Sequence, residues 1–153
     1  MESQSWQRGE YEVSTDQKKL DLDVIHQYLS EESYWARGIP RKSVERSLRN
    51  SLCFGLYHSG RQIGLARAIS DFSTLAYLGD VFVLFDYRGK GLAKWLLECV
   101  FDHPDLQHLR RWILITRHTH DFYRHFGFRD LSRPASYMEL HNPNVYARVY
   151  GDL

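Results

Sequence analysis

Asp80-Val81-Phe82-Val83-Leu84-Phe85-Asp86-Tyr87-Arg88-Gly89-Lys90-Gly91-Leu92-Ala93-Lys94-Trp95-Leu96-Leu97 is the stretch whose reading decides the fold. From Val81 to Phe85 it is apolar and rich in β-branched and aromatic residues, the pattern of a buried strand. From Leu92 the period changes. Leu92, Leu96 and Val100 stack at helical spacing beside Ala93, Leu97 and Phe101, and Lys90, Lys94, Glu98 and Asp102 form the opposite, polar stripe. Between strand and helix, Gly89 and Gly91 let the backbone approach a ligand closely, and Arg88 and Lys90 add positive charge. Free N–H groups at a helix start, the helix dipole and two cations favour a phosphate or pyrophosphate.

Two phosphate-binding patterns are excluded. Gly91 is followed by Leu92, so the lysine has no hydroxyl neighbour to bind Mg²⁺, and Lys94 stands where a dinucleotide fingerprint needs its third glycine. Arg88, Gly91 and Ala93 do fit Arg-x-x-Gly-x-Ala, which resembles the pyrophosphate loop of the GNAT superfamily, N-acyltransferases that use acetyl-coenzyme A. A second segment resembles that family too. Trp112-Ile113-Leu114-Ile115-Thr116 reads as a strand and leads into Thr119-His120-Asp121-Phe122-Tyr123-Arg124-His125-Phe126-Gly127-Phe128. This is similar to the family's short helix carrying a Tyr and closed by Gly-Phe. Gly127 is the helix-ending residue that pattern requires. Two positions depart from the family pattern: Thr116 stands where an Asn is frequent, and Thr119 where a small Ala is frequent.

The resemblance implies an α/β fold of the mixed type. Its central twisted, mixed β-sheet is splayed between the fourth and fifth strands, those ending at Phe85 and Thr116, and flanked by about four helices. The reading of the elements agrees. A first strand is expected at Glu10–Ser14, helices at Asp21–Glu31 and Pro40–Asn50, and a hairpin at Leu52–Tyr57 and Gln62–Ser70. Then come the strand Leu75–Phe85, a helix Gly91–Asp102 stopped by Pro104, a strand Leu109–Thr116, the Tyr123 helix, and strands at Phe128–Leu131 and Ser136–Leu140. All 153 residues are expected to form one domain, with a core over residues 10–141 and a tail, 142–153, carrying Tyr146 and Tyr150.

The same resemblance implies roles. Phe82 and Val83 would pair with the pantetheine amides and offer an N–H to the thioester oxygen. The amides of Arg88, Gly89, Lys90, Gly91, Leu92 and Ala93 would cradle the pyrophosphate, and Thr116 would hydrogen-bond the cofactor. Tyr123 would contact the cofactor and protonate the departing thiolate, as a neutral phenol can. The base is read from the residues themselves. Asp80 is a carboxylate in an otherwise apolar strand, serving either as base or as a bonded partner of a neighbour such as Arg67. Tyr77 or a water chain is the alternative base. For the acceptor site, Tyr34, Trp35 and Arg37 lie in an aromatic loop, with Arg67 and Asp71 as further candidates. The implied activity is transfer of the acetyl group of acetyl-CoA to a primary amine in a ternary complex. The alternative is an acyl-CoA-binding regulatory module with little catalysis.

Bulk properties set limits on partners. The formal charge of +1 gives no whole-chain attraction to nucleic acid or acidic membranes, and Arg41-Lys42 and Arg110-Arg111 are not extended into a basic stripe. No apolar run approaches the ~20 residues of a membrane span, and the N-terminus does not read as a secretory signal. Cys53 and Cys99 sit in apolar stretches and read as reduced core residues, which points to the cytoplasm. His118 and His120 are expected on different faces of a helix, with no metal bound. The expected partner is a small-molecule or peptide amine, with a homodimer left open.

Overall fold

The pattern across Val81–Leu97 resolves into strand β5 (Leu75–Val83), a single turn at Phe85–Tyr87, and helix α3 (Leu92–Asp102). In this computed structural model residues 1–146 are described, so positions 147–153 of the expected tail lie outside them. The chain divides into two compact units, Met1–Ile113 and a second from Leu114 onward.

The first unit is built on a sheet in the order β1-β2-β3-β4-β5-β6. Strands β1 (Ser5–Arg8), β2 (Tyr11–Ser14), β3 (Leu52–His58), β4 (Arg61–Ser70) and β5 pair antiparallel in succession. After the α3 crossover, β6 (Arg111–Leu114) is placed beside β5, where the amides of Arg110 and Arg111 donate to the Thr74 carbonyl at 3.1 and 3.3 Å. The sheet is therefore mixed, and it does not close. With β1 counted, the two strands between which a split was expected are β5 and β6.

Helices α1 (Leu22–Gln27) and α2 (Arg41–Arg49) complete this unit. The Asp21 carboxylate caps α1 by accepting from the amides of Asp23 and Val24. Ile25, Leu29, Val44, Phe54, Leu65, Leu96, Leu97 and Val100 are almost completely buried. Truncating one of them, such as Leu96→Ala, costs ~2–5 kcal/mol. Inserting α3 between β5 and β6 thus fixes the turn that precedes it.

Three expectations about the first unit are corrected. Strand β1 was not foreseen, because only Trp6 carries a hydrophobic signal; its ring packs against Phe54 and His103 at 6.0 and 6.4 Å. The helix expected to run to Glu31 stops at Gln27 and widens into a π-type turn over Tyr28–Glu32. Within it the hydroxyls of Ser30 and Ser33 donate to the carbonyls of His26 and Leu29, competing with the regular ladder. Strand β6 begins later and ends earlier than Leu109–Thr116.

In the second unit, α4 (His120–Arg124) is one short helix closed by Gly127 at φ 97°, whose amide donates to the Arg124 carbonyl at 2.9 Å. Phe122, Tyr123, Phe126 and Phe128 pack edge to face around it. The strands expected at Phe128–Leu131 and Ser136–Leu140 do not form; a single turn at Pro134–Ser136 stands in their place. Pro134 cannot donate to a ladder. Met138 and Leu140, which alternation would place on one covered face, are 97% and 100% exposed.

Candidate active site

Beyond Val83 the chain makes one tight turn, in which the amide of Tyr87 donates to Leu84 at 2.9 Å and that of Arg88 to Phe85 at 3.1 Å. Gly89 and Gly91 then both adopt φ 76°, a left-handed conformation that costs other residues ~1–2 kcal/mol. A Cβ placed on either would meet no atom within 4 Å, so the space in front of this backbone is open. Leu92 and Ala93 open α3, and the first amides of a helix lack partners within it. The Gly89–Ala93 backbone thus places two left-handed glycines with open space around them at a helix start, a setting that favours an anion such as a diphosphate.

Arg88 is placed differently from the expectation. Its amide is taken by Phe85, and its side chain folds back so that Nε donates to the Val83 carbonyl at 3.0 Å and Nη2 to the Tyr28 hydroxyl at 3.2 Å. It braces the turn from behind. Tyr28 in turn stacks on Phe82 with centroids 4.0 Å apart and planes 9° apart. Burial pushes the Tyr28 phenol up, opposed by the nearby Arg88 charge, so the phenol stays neutral and accepts. Sequence reasoning missed Tyr28; its only signal was its place at the end of a helix with an apolar face.

Leu84 N–H donates to the Ile63 carbonyl of β4 at 2.8 Å, so alternation turns the Val83 N–H and C=O away from β4. Upstream, Leu65 pairs with Phe82 but Arg67 with Gly79, leaving Asp80 and Val81 opposite Ala66 alone. This is a β-bulge, with Asp80 at φ 52°. The bulge re-aims the Asp80 carboxylate: Oδ2 accepts from Arg67 Nε at 2.8 Å and Oδ1 from the Trp35 indole N–H at 2.8 Å. Arg67 Nη1 reaches the Ser51 hydroxyl at 2.9 Å, a partner the sequence did not suggest. Of the two readings open for Asp80, the Arg67 contact is present.

Trp35 and Tyr34 meet edge to face at 5.1 Å, and Trp35 lies 6.4 Å from Tyr28. The aromatic loop, the bulge and the end of β5 are thus joined by a chain of contacts, Trp35 to Asp80 and Trp35 through Tyr28 to Phe82. Trp35 and Tyr34 are 41% and 43% exposed, so their faces remain accessible. Arg37 lies exposed in the same loop. Asp71 has a different setting, in the β4–β5 turn. Its Oδ1 accepts from the amides of Ser73, Thr74 and Leu75, and its Oδ2 from the Thr74 hydroxyl. The hydrogen bonds from Thr74, foremost, hold its carboxyl well below the usual carboxylate range.

Ionisation narrows the chemistry. Burial pushes the Cys53 and Cys99 thiols up to about 12, so neither is a ready thiolate nucleophile. Burial, then the Asp80 charge, also raises the Tyr77 phenol, which disfavours it as a base.

In the second unit, Tyr123 is half-buried on α4, between Phe122 and Phe128 at centroid distances of 5.1 and 6.0 Å. The Thr116 hydroxyl is 2.7 Å from that of Thr119 and accepts from its amide at 3.2 Å, so it also serves the entry to α4. His118 and His120 do not diverge as expected: His118 precedes the helix, and both line a shallow opening of about 500 Å³ with Asp121, Arg124 and Asp130. Among the described residues no three His, Cys, Asp or Glu side chains are grouped to hold a metal ion, and no helix is long and apolar enough to cross a membrane.

Comparison with known proteins bears on this geometry. A family model described as an acetyltransferase (GNAT) domain matches residues 49–130, which include the bulge, the glycine turn and α4. A curated protein of Gibberella zeae, named as a candidate acetyltransferase, is 35% identical over 150 residues, covering 83% of this chain and 84% of that one. The crystal structure of a candidate GNAT-family acetyltransferase from Xanthomonas campestris pv. campestris is 47% identical, with a TM-score of 0.88 over 90% of this chain and 96% of that one. A candidate acetyltransferase from Clostridium acetobutylicum, solved with acetyl-CoA, shares the fold at 18% identity, a TM-score of 0.62, and 86% and 94% coverage. With the strand, glycine turn and helix folded as the motif requires, and relatives matched along most of its length, this chain belongs to the GNAT acetyltransferase family.

Proposed function

We propose that the protein transfers the acetyl group of acetyl-CoA to a primary amine by direct attack within a ternary complex. The observation that carries this reading is the Gly89–Ala93 backbone, with two left-handed glycines facing open space at the start of α3. Its amides hold the pyrophosphate and Lys90 adds charge at the rim. The Val83 backbone, turned away from β4, pairs with the pantetheine and supplies an N–H to the thioester oxygen, while the Phe82 backbone is held by its pairing with Leu65 of β4. Acetyl-CoA supplies the activated thioester.

The amine enters along Tyr34, Trp35, Asp80 and Arg67. Asp80 attracts the ammonium form of the acceptor and takes its proton, directly or through water. Tyr123 protonates the CoA thiolate as it leaves, with Thr116 as a further cofactor contact. The raised Cys53 and Cys99 thiols support direct transfer over an acetyl-cysteine intermediate.

The test is a turnover screen of the purified chain with acetyl-CoA and a panel of amines, small metabolites, peptides with free N-termini and lysine peptides, reading free thiol. Amine-dependent thiol release with matching acetylated product supports the proposal. Binding of acetyl-CoA without turnover of any amine turns the reading toward a regulatory module.

A further inference from the structure

Tyr87 stands two residues before Gly89, and its hydroxyl has no part in the roles above. That hydroxyl lies 2.9 Å from Nδ1 of His58 on β3, and Nε2 of the same imidazole lies 3.1 Å from Oε2 of Glu10 in the β1–β2 turn. A carboxylate only accepts, so with a neutral imidazole the network assigns the ring proton to Nε2 and makes Nδ1 the acceptor of the phenol. Tyr11 stacks on His58 with centroids 4.7 Å apart and meets Tyr87 edge-on at 6.5 Å. Lys90 Nζ stands 5.9 Å from the Tyr87 ring centroid. Side chains from β2, β3 and the β1–β2 turn therefore converge on one residue of the cofactor turn.

The turn has few other restraints on this side. Among the described residues the amides of Tyr87 and Arg88 are used within the turn, and the Gly91 carbonyl accepts from the Trp95 N–H at 3.1 Å. Between them lie Gly89, Lys90 and Gly91, two of them glycines with open space around them. Such a segment presents its amides to a diphosphate only if its ends are fixed. Arg88 fixes the strand side; Tyr87 ties the turn to His58 on β3 and, through it, to Glu10 in the β1–β2 turn.

We propose that Glu10, His58 and Tyr87 form a strut that pre-organises the pyrophosphate-binding turn and so sets affinity for the nucleotide half of acetyl-CoA. Tyr87 and His58 are positioning residues. This rests on the reading of the Gly89–Ala93 backbone as the pyrophosphate seat.

The experiment compares wild type, Tyr87→Phe, His58→Ala and His58→Asn, the last restoring an acceptor near Nδ1. Each is measured for CoA affinity by calorimetry, for steady-state kinetics with acetyl-CoA, and with acetyl-pantetheine, which lacks the pyrophosphate. Tyr87→Phe and His58→Ala are expected to weaken CoA binding and raise KM for acetyl-CoA by about three- to ten-fold, the worth of one or two hydrogen bonds, with kcat little changed. His58→Asn recovers part of the loss, and KM for acetyl-pantetheine stays the same throughout. Glu10→Gln, at an exposed position, gives a smaller shift of the same sign and serves where a His58 variant fails to fold. Unchanged CoA affinity in Tyr87→Phe, or an equal loss with acetyl-pantetheine, overturns the strut. A wild type that binds no CoA overturns the pyrophosphate seat itself and the strut with it.

Discussion

Trp35 and Asp80 are 45 residues apart in the chain, yet the indole N–H of one donates to Oδ1 of the other at 2.8 Å. The contact exists because a bulge in β5 places Asp80 at φ 52° and turns its carboxylate toward the aromatic loop. It links the residues proposed to receive the amine to the strand proposed to hold the cofactor. Trp35→Phe keeps the ring and removes only the donor. A hydrogen bond to a charged group contributes about 1.5–3 kcal/mol, less at a half-exposed site, so KM for the amine is expected to rise about ten-fold. Steady-state kinetics at saturating acetyl-CoA check this; an unchanged KM removes Trp35 from the acceptor site.

Asp80→Asn is expected to act twice. The Arg67 and Asp80 side chains are 15% and 10% exposed, and breaking a buried ion pair from one side costs about 3 kcal/mol, visible as a lower Tm. The base role adds a second signature: kcat/KM loses its rise with pH while acetyl-CoA affinity is kept. A variant that melts earlier but keeps the wild-type pH profile confines Asp80 to holding Arg67 and Trp35.

What the sequence showed clearly was local. The change from an apolar run to helical spacing at Leu92, with Gly89 and Gly91 between, is a short-range signal, and α3 formed where it placed it, while β5 stops at Val83 rather than Phe85, which enters the turn. The hairpin of β3 and β4 was legible for the same reason, as Ser59-Gly60 separates two apolar runs. What escaped depends on distant partners. Strand β1 is nearly all exposed and is held by pairing with β2; the readable clue was Gly9, now at φ 59° in a two-residue turn. The Gly79-Asp80 pair in an apolar strand was a bulge signal. Ser51, Tyr28 and His58 carry no local mark of their partners, Arg67, Arg88 and Tyr87. Phe128–Leu131 and Ser136–Leu140 were read as strands, but among the described residues nothing covers Met138 or Leu140.

Tyr123→Phe keeps the ring against Phe122 and Phe128 and removes only the hydroxyl. Loss of a general acid lowers kcat on the order of 10² to 10⁴ with little change in Tm. Turnover within about three-fold of wild type would leave Tyr123 as a packing residue and place the proton donor elsewhere.

His103 gives stability a pH dependence of its own. It is completely buried, Nδ1 accepts from the Asp105 amide at 3.1 Å, and Nε2 has no partner among the described residues. Burial pushes its pKa below the usual 6.5, with Asp105 opposing. The unfolded chain therefore takes up a proton that the folded protein resists, so stability present above about 6.5 is lost as pH falls from there through the folded value. Tm measured from pH 7.5 to 5 should fall in wild type and fall less in His103→Gln. Equal slopes would assign the acid sensitivity to other groups.

The most direct test of the account is calorimetric titration of acetyl-CoA into the wild type and into Gly91→Glu. Gly91 stands at φ 76° with open space before it, so Glu strains one residue by ~1–2 kcal/mol and puts a side chain and a negative charge where the pyrophosphate belongs. The account predicts saturable binding by the wild type and none detectable by a Gly91→Glu protein that remains folded by circular dichroism. Equal affinity in the two proteins would contradict it.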